Sequence, residues 1–169
     1  MDVRPRILVV YYSRTGHTGR VAGDLAARLG ADLARIEDKV DRRGFIGYLR
    51  AARDSLRSVG ADIVAPRNDP ADYALTIVGT PVWAWHMTPA VRTYLRNAGR
   101  AAHDLAFFVT SGNTAVERVA PDMEAAGGRK AVACAGFDAR ELADPVRYQA
   151  KLAAFLASIA ERTHPGRRK

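Results

Sequence analysis

The stretch RILVVYYSRTGHTGR, residues 6–20, determines which fold the sequence predicts. Residues 6–12 are branched and aromatic without a two-residue alternation, which is typical of a strand that is covered on both faces. A loop rich in hydroxyl groups follows at once. Residues 18–29 then place Val21, Leu25 and Leu29 on one helical stripe, and Gly30 is suited to end the helix. The pattern predicts a buried strand, a polar loop and an amphipathic helix in direct succession.

The same alternation continues along the chain. Pro121 lies inside one helical stretch, where it either kinks the helix or marks the start of a second turn. Strands that alternate with helices predict an α/β fold with a parallel sheet and helices on both faces. The remaining strands are predicted at 32–38, 73–80, 105–111 and 130–137, and the remaining helices at 44–59, after a Thr88 cap and Pro89, at 114–126, and from Asp144 and Pro145 onward.

Length and composition predict one domain in residues 1–161, followed by a basic flexible tail at 162–169. No apolar run approaches the roughly 18 residues of a membrane span, and no signal peptide is predicted. Cys134 is the single cysteine, which excludes an internal disulfide and fits a cytoplasmic location. Its place inside a predicted strand suggests a small, buried apolar residue.

The net charge of +8 comes from two segments, 42–58 and 162–169, each of which carries +4. Two interpretations stay open. The segments attract an anionic partner, or they are a solvated helix face and a frayed tail. Specific nucleic-acid binding is not predicted. The helix at 44–59 is also a candidate face for a homodimer.

Polar loops follow three of the predicted strands: SRTGHTG after the first, TPVWAWHMTP after the third and TSGNT after the fourth. In an open parallel sheet, ligands bind outside the carboxyl ends of the strands. The three loops therefore predict one site at one edge of the sheet.

The first of these loops has the donors of an anion site. Five of its side chains can donate hydrogen bonds, Gly16 allows close approach of the backbone, and the helix that follows favours a negative charge at its start. The lysine of a nucleotide P-loop is missing, since Arg20 follows Gly19, and the Rossmann glycine pattern is absent. The position of Cys134 inside a strand excludes a cysteine phosphatase loop. The remaining interpretation of the loop is a site in which hydroxyl groups and backbone amides hold a phosphate.

Two segments resemble the flavodoxin family. VVYYSRTGHTGRVA (9–22) has the family's aliphatic pair, aromatic residue and S-x-T-G-x-T spacing, and IVGTPVWAWHMTPAVRTYL (77–95) is similar to its second flavin loop. The order of elements resembles the family over roughly residues 5–160, in its short-chain form. The resemblance implies a three-layer, doubly wound sheet of five parallel strands in the order 2-1-3-4-5.

The resemblance also implies the cofactor FMN and no metal. The first loop would hold the phosphate, with Arg14 pointing outward or only partly inward. At least one tryptophan of the second loop would contact the flavin ring. The implied cofactor-binding residues are Ser13, Arg14, Thr15, Gly16, His17, Thr18, Pro81, Val82, Trp83, Ala84, Trp85, His86, Ser111, Gly112 and Asn113.

Single residues within this set have alternative roles. His86 would bond or protonate the flavin, or else serve as a helix-cap or surface residue. His17 is expected to be a loop donor. No residue is assigned as catalytic.

Two departures from the family pattern bear on function. The third loop, TSGNT, lacks the aromatic residue that electron-carrier flavodoxins place against the flavin, so one face of the ring is expected to be open. The chain is also basic, whereas carrier flavodoxins are acidic for docking on basic partners.

The resemblance predicts an FMN-binding redox protein, either an electron carrier for a partner protein or an FMN-dependent oxidoreductase. The latter alternative is an NAD(P)H:quinone-type reductase with a small-molecule acceptor. A scaffold that has lost FMN and acts as a binding module is a third alternative.

Overall fold

The computed structural model describes residues 5–39, 61–112 and 116–163, in which strands and helices alternate. The strands are β1 (Ile7–Tyr11), β2 (Asp32–Arg35), β3 (Glu37–Asp38), β4 (Ile63–Val64), β5 (Leu75–Trp83), β6 (His86–Met87), β7 (Asp104–Ser111) and β8 (Ala133–Asp138). The α-helices are α1 (His17–Leu29), α2 (Pro89–Asn97), α3 (Val116–Gly127), α4 (Ala139–Ala143) and α5 (Pro145–Thr163), and Pro70–Asp72 and Gly99–Ala101 form 3₁₀ turns.

The main sheet is parallel and runs in the order β2-β1-β5-β7-β8. This is the predicted order 2-1-3-4-5 of five strands, so the predicted fold class is confirmed. Ile77 lies at the centre of the sheet, paired with Val9 on one side and with Ala106 on the other. All three side chains are fully buried, which explains why the strands carry apolar runs without alternation.

Helices cover both faces of the sheet and form two separate cores. Val21 and Leu25 of α1 share one core with Tyr148 of α5. Tyr94 of α2 and Met123 of α3 belong to the other core. The protein therefore has the three layers that the sequence predicts, and the carboxyl ends of its strands remain available at one edge.

Several predicted helix boundaries are confirmed. Gly30 ends α1 with a positive φ of 62°, which glycine adopts without strain. Thr88 caps α2 by accepting a hydrogen bond from the amide of Val91, and Pro89 occupies the first turn. Asp144 accepts hydrogen bonds from the first amides of α5. Pro121 lies within α3, which runs as one helix from Val116 to Gly127.

Three predicted features differ from the structure. The predicted strand 32–38 is divided at Ile36, because Glu37–Asp38 pairs antiparallel with Ile63–Val64 instead of continuing the main sheet. Strand β5 continues past Thr80 to Trp83 and folds back through β6. Cys134 is exposed rather than buried, because β8 lies at the edge of the sheet.

Some predictions lie outside the described residues. They include the basic helix at 44–59, the whole of the basic segment 42–58, and residues 164–169 of the predicted tail. Helix α5 includes Arg162 and Thr163, the first two residues of that tail. Among the described residues, no helix has both the length and the apolar character that crossing a membrane requires.

Candidate functional site

The first loop positions the start of α1 with glycine rather than with a capping side chain. Gly16 is the N-cap residue, has a φ of 95° and makes no side-chain capping bond. Its own amide donates to Ser13 Oγ at 3.2 Å, and its carbonyl accepts the first helical bond from Arg20. The first turn of α1 also contains no acidic residue. The amides at this helix end are thus left to an external acceptor, and the helix dipole favours an anion there.

The predicted phosphate residues divide into two groups by burial. Ser13 and Thr18 are buried, and the Thr18 Oγ1 atom lies 2.7 Å from Thr110 Oγ1. These two hydroxyl groups hold the loop against its own backbone and against β7. The exposed group consists of Arg14, Thr15, Gly16 and His17. Arg14 therefore has the outward position expected of it, and Thr15 is the hydroxyl residue most accessible to a ligand.

A cavity of about 370 Å³ lies between the first loop and the ends of β5 and β7. Its volume is within the range of small-molecule sites. Five predicted site residues line it: Thr15, His17, Pro81, Ser111 and Gly112. The other lining residues, which the sequence analysis did not assign to the site, are Arg20, Thr110, Ala139, Leu142 and Ala143. Asn113, the remaining third-loop residue of the prediction, lies outside the described residues.

Arg20 supplies a fixed positive charge to the wall of this cavity. Its Nη1 donates to the carbonyl of Leu142 at 3.0 Å, and its guanidinium lies 4.4 Å from the ring centre of Tyr148. The Tyr148 hydroxyl donates in turn to Asp24 at 2.6 Å, and burial together with this carboxylate raises the pKa of Tyr148. A guanidinium anchored at a carbonyl and an aromatic face keeps its orientation. Arg20 follows Gly16 by one helical turn, which is the only sequence signal that it shares a face with the loop.

The second loop is a tight hairpin that connects β5 to β6. Val82 pairs with Met87 and Trp83 pairs with His86, so the turn has only two residues. Those residues, Ala84 and Trp85, have φ values of 47° and 67°. Positive φ at both positions is the requirement of a type I′ turn, which usually takes asparagine and glycine. Left-handed backbone costs a residue with a side chain roughly 1–2 kcal/mol, so this loop is held in place by its surroundings.

The two tryptophans of the hairpin have different environments. Trp83 is half-buried and packs edge-to-face on Tyr12, with the ring centres 5.7 Å apart. Trp85 is 49% exposed, and the guanidinium of Arg118 lies 5.0 Å from the centre of its ring. Trp85 therefore offers an accessible aromatic surface, while Trp83 attaches the hairpin to the core.

His86 is oriented by helix α3. Its Nδ1 and Asp122 Oδ2 are 3.1 Å apart, and both side chains are partly exposed. Of the second-loop residues, Pro81 lines the cavity, whereas residues 82–86 are not among its described lining. The structure thus brings the first and third loops together around the cavity and places the hairpin beside them.

Comparison with known proteins gives this arrangement a family. A flavodoxin profile matches residues 6–133, more than half of the chain. The chain belongs to the flavodoxin family. A flavoprotein from Lactobacillus acidophilus NCFM, solved in complex with FMN, superposes on this flavodoxin-family chain with a TM-score of 0.71 and 20% identity, over 83% of this chain and 97% of that one.

Two further solved structures agree on the fold of this flavodoxin-family protein. A flavodoxin from the domain Archaea has a TM-score of 0.56 at 12% identity and covers 94% of this chain and 99% of its own. Oxidised Flavodoxin 2 from Bacillus cereus has a TM-score of 0.56 at 16% identity, with 93% and 99% covered. Comparison with curated protein sequences gives no match.

Proposed function

We propose that the protein binds FMN non-covalently at the described cavity and functions as a redox flavoprotein. The observation that carries this proposal is the convergence of the first and third loops on one cavity, at an uncapped helix start beside a fixed arginine. Membership of the flavodoxin family supports it, as does the FMN complex of the Lactobacillus acidophilus flavoprotein.

The donor set fits the phosphate end of FMN. The Gly16 turn opens the first amides of α1, Thr15 contributes an exposed hydroxyl group, and Arg20 contributes charge at the wall of the cavity. Hydrogen bonds from amides and a guanidinium to a phosphate are charge-assisted and therefore stronger than neutral ones. Arg14 is not required for this fit, because it is not among the described residues that line the cavity.

The hairpin fits the ring end of FMN. Trp85 is large, flat and half exposed, which suits stacking on an aromatic ligand. The contact between His86 Nδ1 and Asp122 leaves Nε2 without a partner among the described residues, so this atom can meet a polar edge of the ligand. Held in this way, FMN supplies electron-transfer chemistry, and the chain supplies position and electrostatics.

We further propose that the protein is an FMN-dependent oxidoreductase of the NAD(P)H:quinone type. Ser111 and Gly112, which line the cavity from the third loop, carry no aromatic ring that would cover the flavin. The net charge of +8 supports an anionic donor such as NAD(P)H and disfavours docking on the basic partners that acidic carrier flavodoxins use. Electron delivery to a partner protein is the alternative that the same site supports.

FMN titration followed by quenching of flavin fluorescence tests the cofactor. We expect Thr15→Val to weaken binding about tenfold, since one charge-assisted hydrogen bond contributes roughly 1.5 kcal/mol. Ser158→Ala is the matched control, because it removes a hydroxyl group that bonds only within α5, to the Phe155 carbonyl. A protein that leaves FMN fluorescence unchanged would contradict the proposal.

Turnover of NADPH with a soluble quinone tests the reaction separately, once FMN binding has been measured. Oxidation of NADPH that requires both FMN and the quinone supports the reductase. FMN binding without such turnover, accompanied by reduction of a cytochrome or another protein acceptor, would support the carrier instead.

A further inference from the structure

Arg92 of helix α2 is a buried arginine with unmet hydrogen-bonding capacity. Its residue exposure is 3%, and its Nη1 is buried without a hydrogen-bond partner in the described part of the chain. A buried N–H donor without an acceptor is costly, because it has lost its hydrogen bonds to water and has not replaced them. Such a group needs an acceptor that the described residues do not supply.

Arg92 lines a cavity of about 230 Å³ between α2 and α3. The wall also contains Arg96 one turn later on α2, Arg100 in the adjoining 3₁₀ turn, and Asp122. Three guanidinium groups face one carboxylate, which leaves a net charge of +2. The only ion pair that Asp122 makes among the described residues is with His86, so it neutralises none of the three arginines at contact distance.

We propose that this cavity binds a small oxyanion of the phosphate type, with Arg92 as the buried ligand and Arg96 and Arg100 at the opening. Guanidinium groups match phosphate oxygens through paired N–H donors, and burial strengthens each of these bonds. An anion at this position gives the Arg92 guanidinium the acceptor that it lacks. The cavity has space for a single anionic group, either free phosphate or a phosphomonoester on a larger molecule.

This anion site is separate from the candidate FMN site. Helices α2 and α3 cover one face of the sheet, whereas α1, which begins at the first loop, covers the other face. No residue that lines the 370 Å³ cavity also lines this one. The proposal therefore stands whether or not FMN binds.

Asp122 connects the anion site to the hairpin. It lines the anion cavity and is also bonded to His86 at 3.1 Å. An anion drawn in by Arg92 brings negative charge close to Asp122 and changes the electric field at the imidazole. The ring signals of His86 in NMR spectra should therefore move as the site fills, which gives a readout besides affinity.

Calorimetric titration with inorganic phosphate at constant ionic strength, balanced with chloride, tests the site. We expect saturable binding, a shift of the His86 ring signals, and an affinity that falls about tenfold in Arg96→Gln, for one lost charge-assisted contact. Arg96 is exposed, so Arg96→Gln should keep the fold. Arg92→Met, which removes the buried ligand, should abolish the binding. Arg140→Gln on the opposite face removes the same charge and should leave the affinity unchanged.

The first loop is the competing phosphate site, and Thr15→Val reports on it. Phosphate binding that Thr15→Val abolishes and Arg96→Gln preserves would overturn the proposal, as would the absence of saturable binding. Displacement of phosphate from this site by glycerol 3-phosphate, in the wild type but not in Arg92→Met, would support a phosphomonoester as the ligand. Phosphate binding that glycerol 3-phosphate does not displace would support free phosphate.

Discussion

The hydroxyl oxygens of Thr18 and Thr110 lie 2.7 Å apart in a buried position, and they join the first turn of α1 to the end of β7. This contact fixes the first loop relative to the end of β7, where the third loop begins. Loss of one partner leaves the other hydroxyl group buried and without that bond.

We expect Thr18→Val to lower the free energy of unfolding by about 1–3 kcal/mol, because the Thr110 hydroxyl then lacks a partner. Thr110→Val should have a similar effect. The double variant should lose less than the sum, with a coupling of about 1 kcal/mol, measured by urea unfolding. Strictly additive losses would show that the two hydroxyl groups do not stabilise each other.

Gly79 lies directly beneath the ring of Phe108. A Cβ atom at position 79 would lie 2.0 Å from the Cζ atom of that ring, and both residues are central in the sheet. We expect Gly79→Ala to cost about 3 kcal/mol in the free energy of unfolding, since the ring has nowhere to move in a packed core.

The control for Gly79 is Gly23→Ala in helix α1, where an added Cβ meets nothing within 4 Å. This change should stabilise the protein by about 0.5–1 kcal/mol through helix propensity alone. The double variant Gly79→Ala/Phe108→Leu replaces the clashing ring with a smaller side chain, so it should recover part of the lost free energy of unfolding. Equal stability of the two glycine variants would contradict the packing argument.

The strained hairpin gives a prediction of the opposite sign. Ala84 has a φ of 47°, and glycine adopts this conformation freely. We expect Ala84→Gly to raise the free energy of unfolding by about 0.5–1 kcal/mol, after the greater freedom of glycine in the unfolded chain is subtracted. Ala157→Gly, in the exposed interior of α5, should lower it by about 1 kcal/mol. A loss in both variants would show that Ala84 is not strained.

The thiol of Cys134 should react slowly despite its place at the exposed edge of the sheet. The loss of hydration around the sulfur, and secondly the charge of Glu124, raise its pKa to about 11 from an ordinary value of 9.0. The thiolate is the reactive form, and a raised pKa means less of it below pH 11. Alkylation at pH 8 should therefore be roughly 100-fold slower in the folded protein than in urea.

The pH profile supplies the check on this prediction. The alkylation rate of the folded protein should keep rising up to about pH 11, and Glu124→Gln should move the profile to lower pH. Equal rates in the folded and unfolded protein at pH 8 would mean that the sulfur remains fully hydrated.

Local sequence signals were sufficient to predict the strands of the main sheet and most helix ends, because a buried strand and a helix N-cap both depend on residues that are adjacent in sequence. The hairpin at Ala84 and Trp85 escaped prediction because it lacks the asparagine-glycine pair that normally marks such a turn. The division of the second strand depends on Ile63 and Val64, which are distant in sequence. Cys134 is likewise exposed because β8 lies at the edge of the sheet, and the composition of a strand does not indicate whether the strand is central or at an edge.

The predicted site residues show the same limit. Thr15, His17, Pro81, Ser111 and Gly112 were found from loops that follow strands, which is a rule about topology. Arg20 was missed because its position depends on Leu142 and Tyr148, far along the chain. Whether the predicted residues contact FMN stays a prediction.

Both tryptophans of the chain, Trp83 and Trp85, lie in the β5–β6 hairpin. The intrinsic indole emission of the protein therefore arises from this single loop, with one emitter packed on Tyr12 and the other beside Arg118. Any molecule that reaches the hairpin will alter that emission without an attached dye. The protein thus contains its own optical probe, which makes it suited to screening for molecules that bind beside this loop.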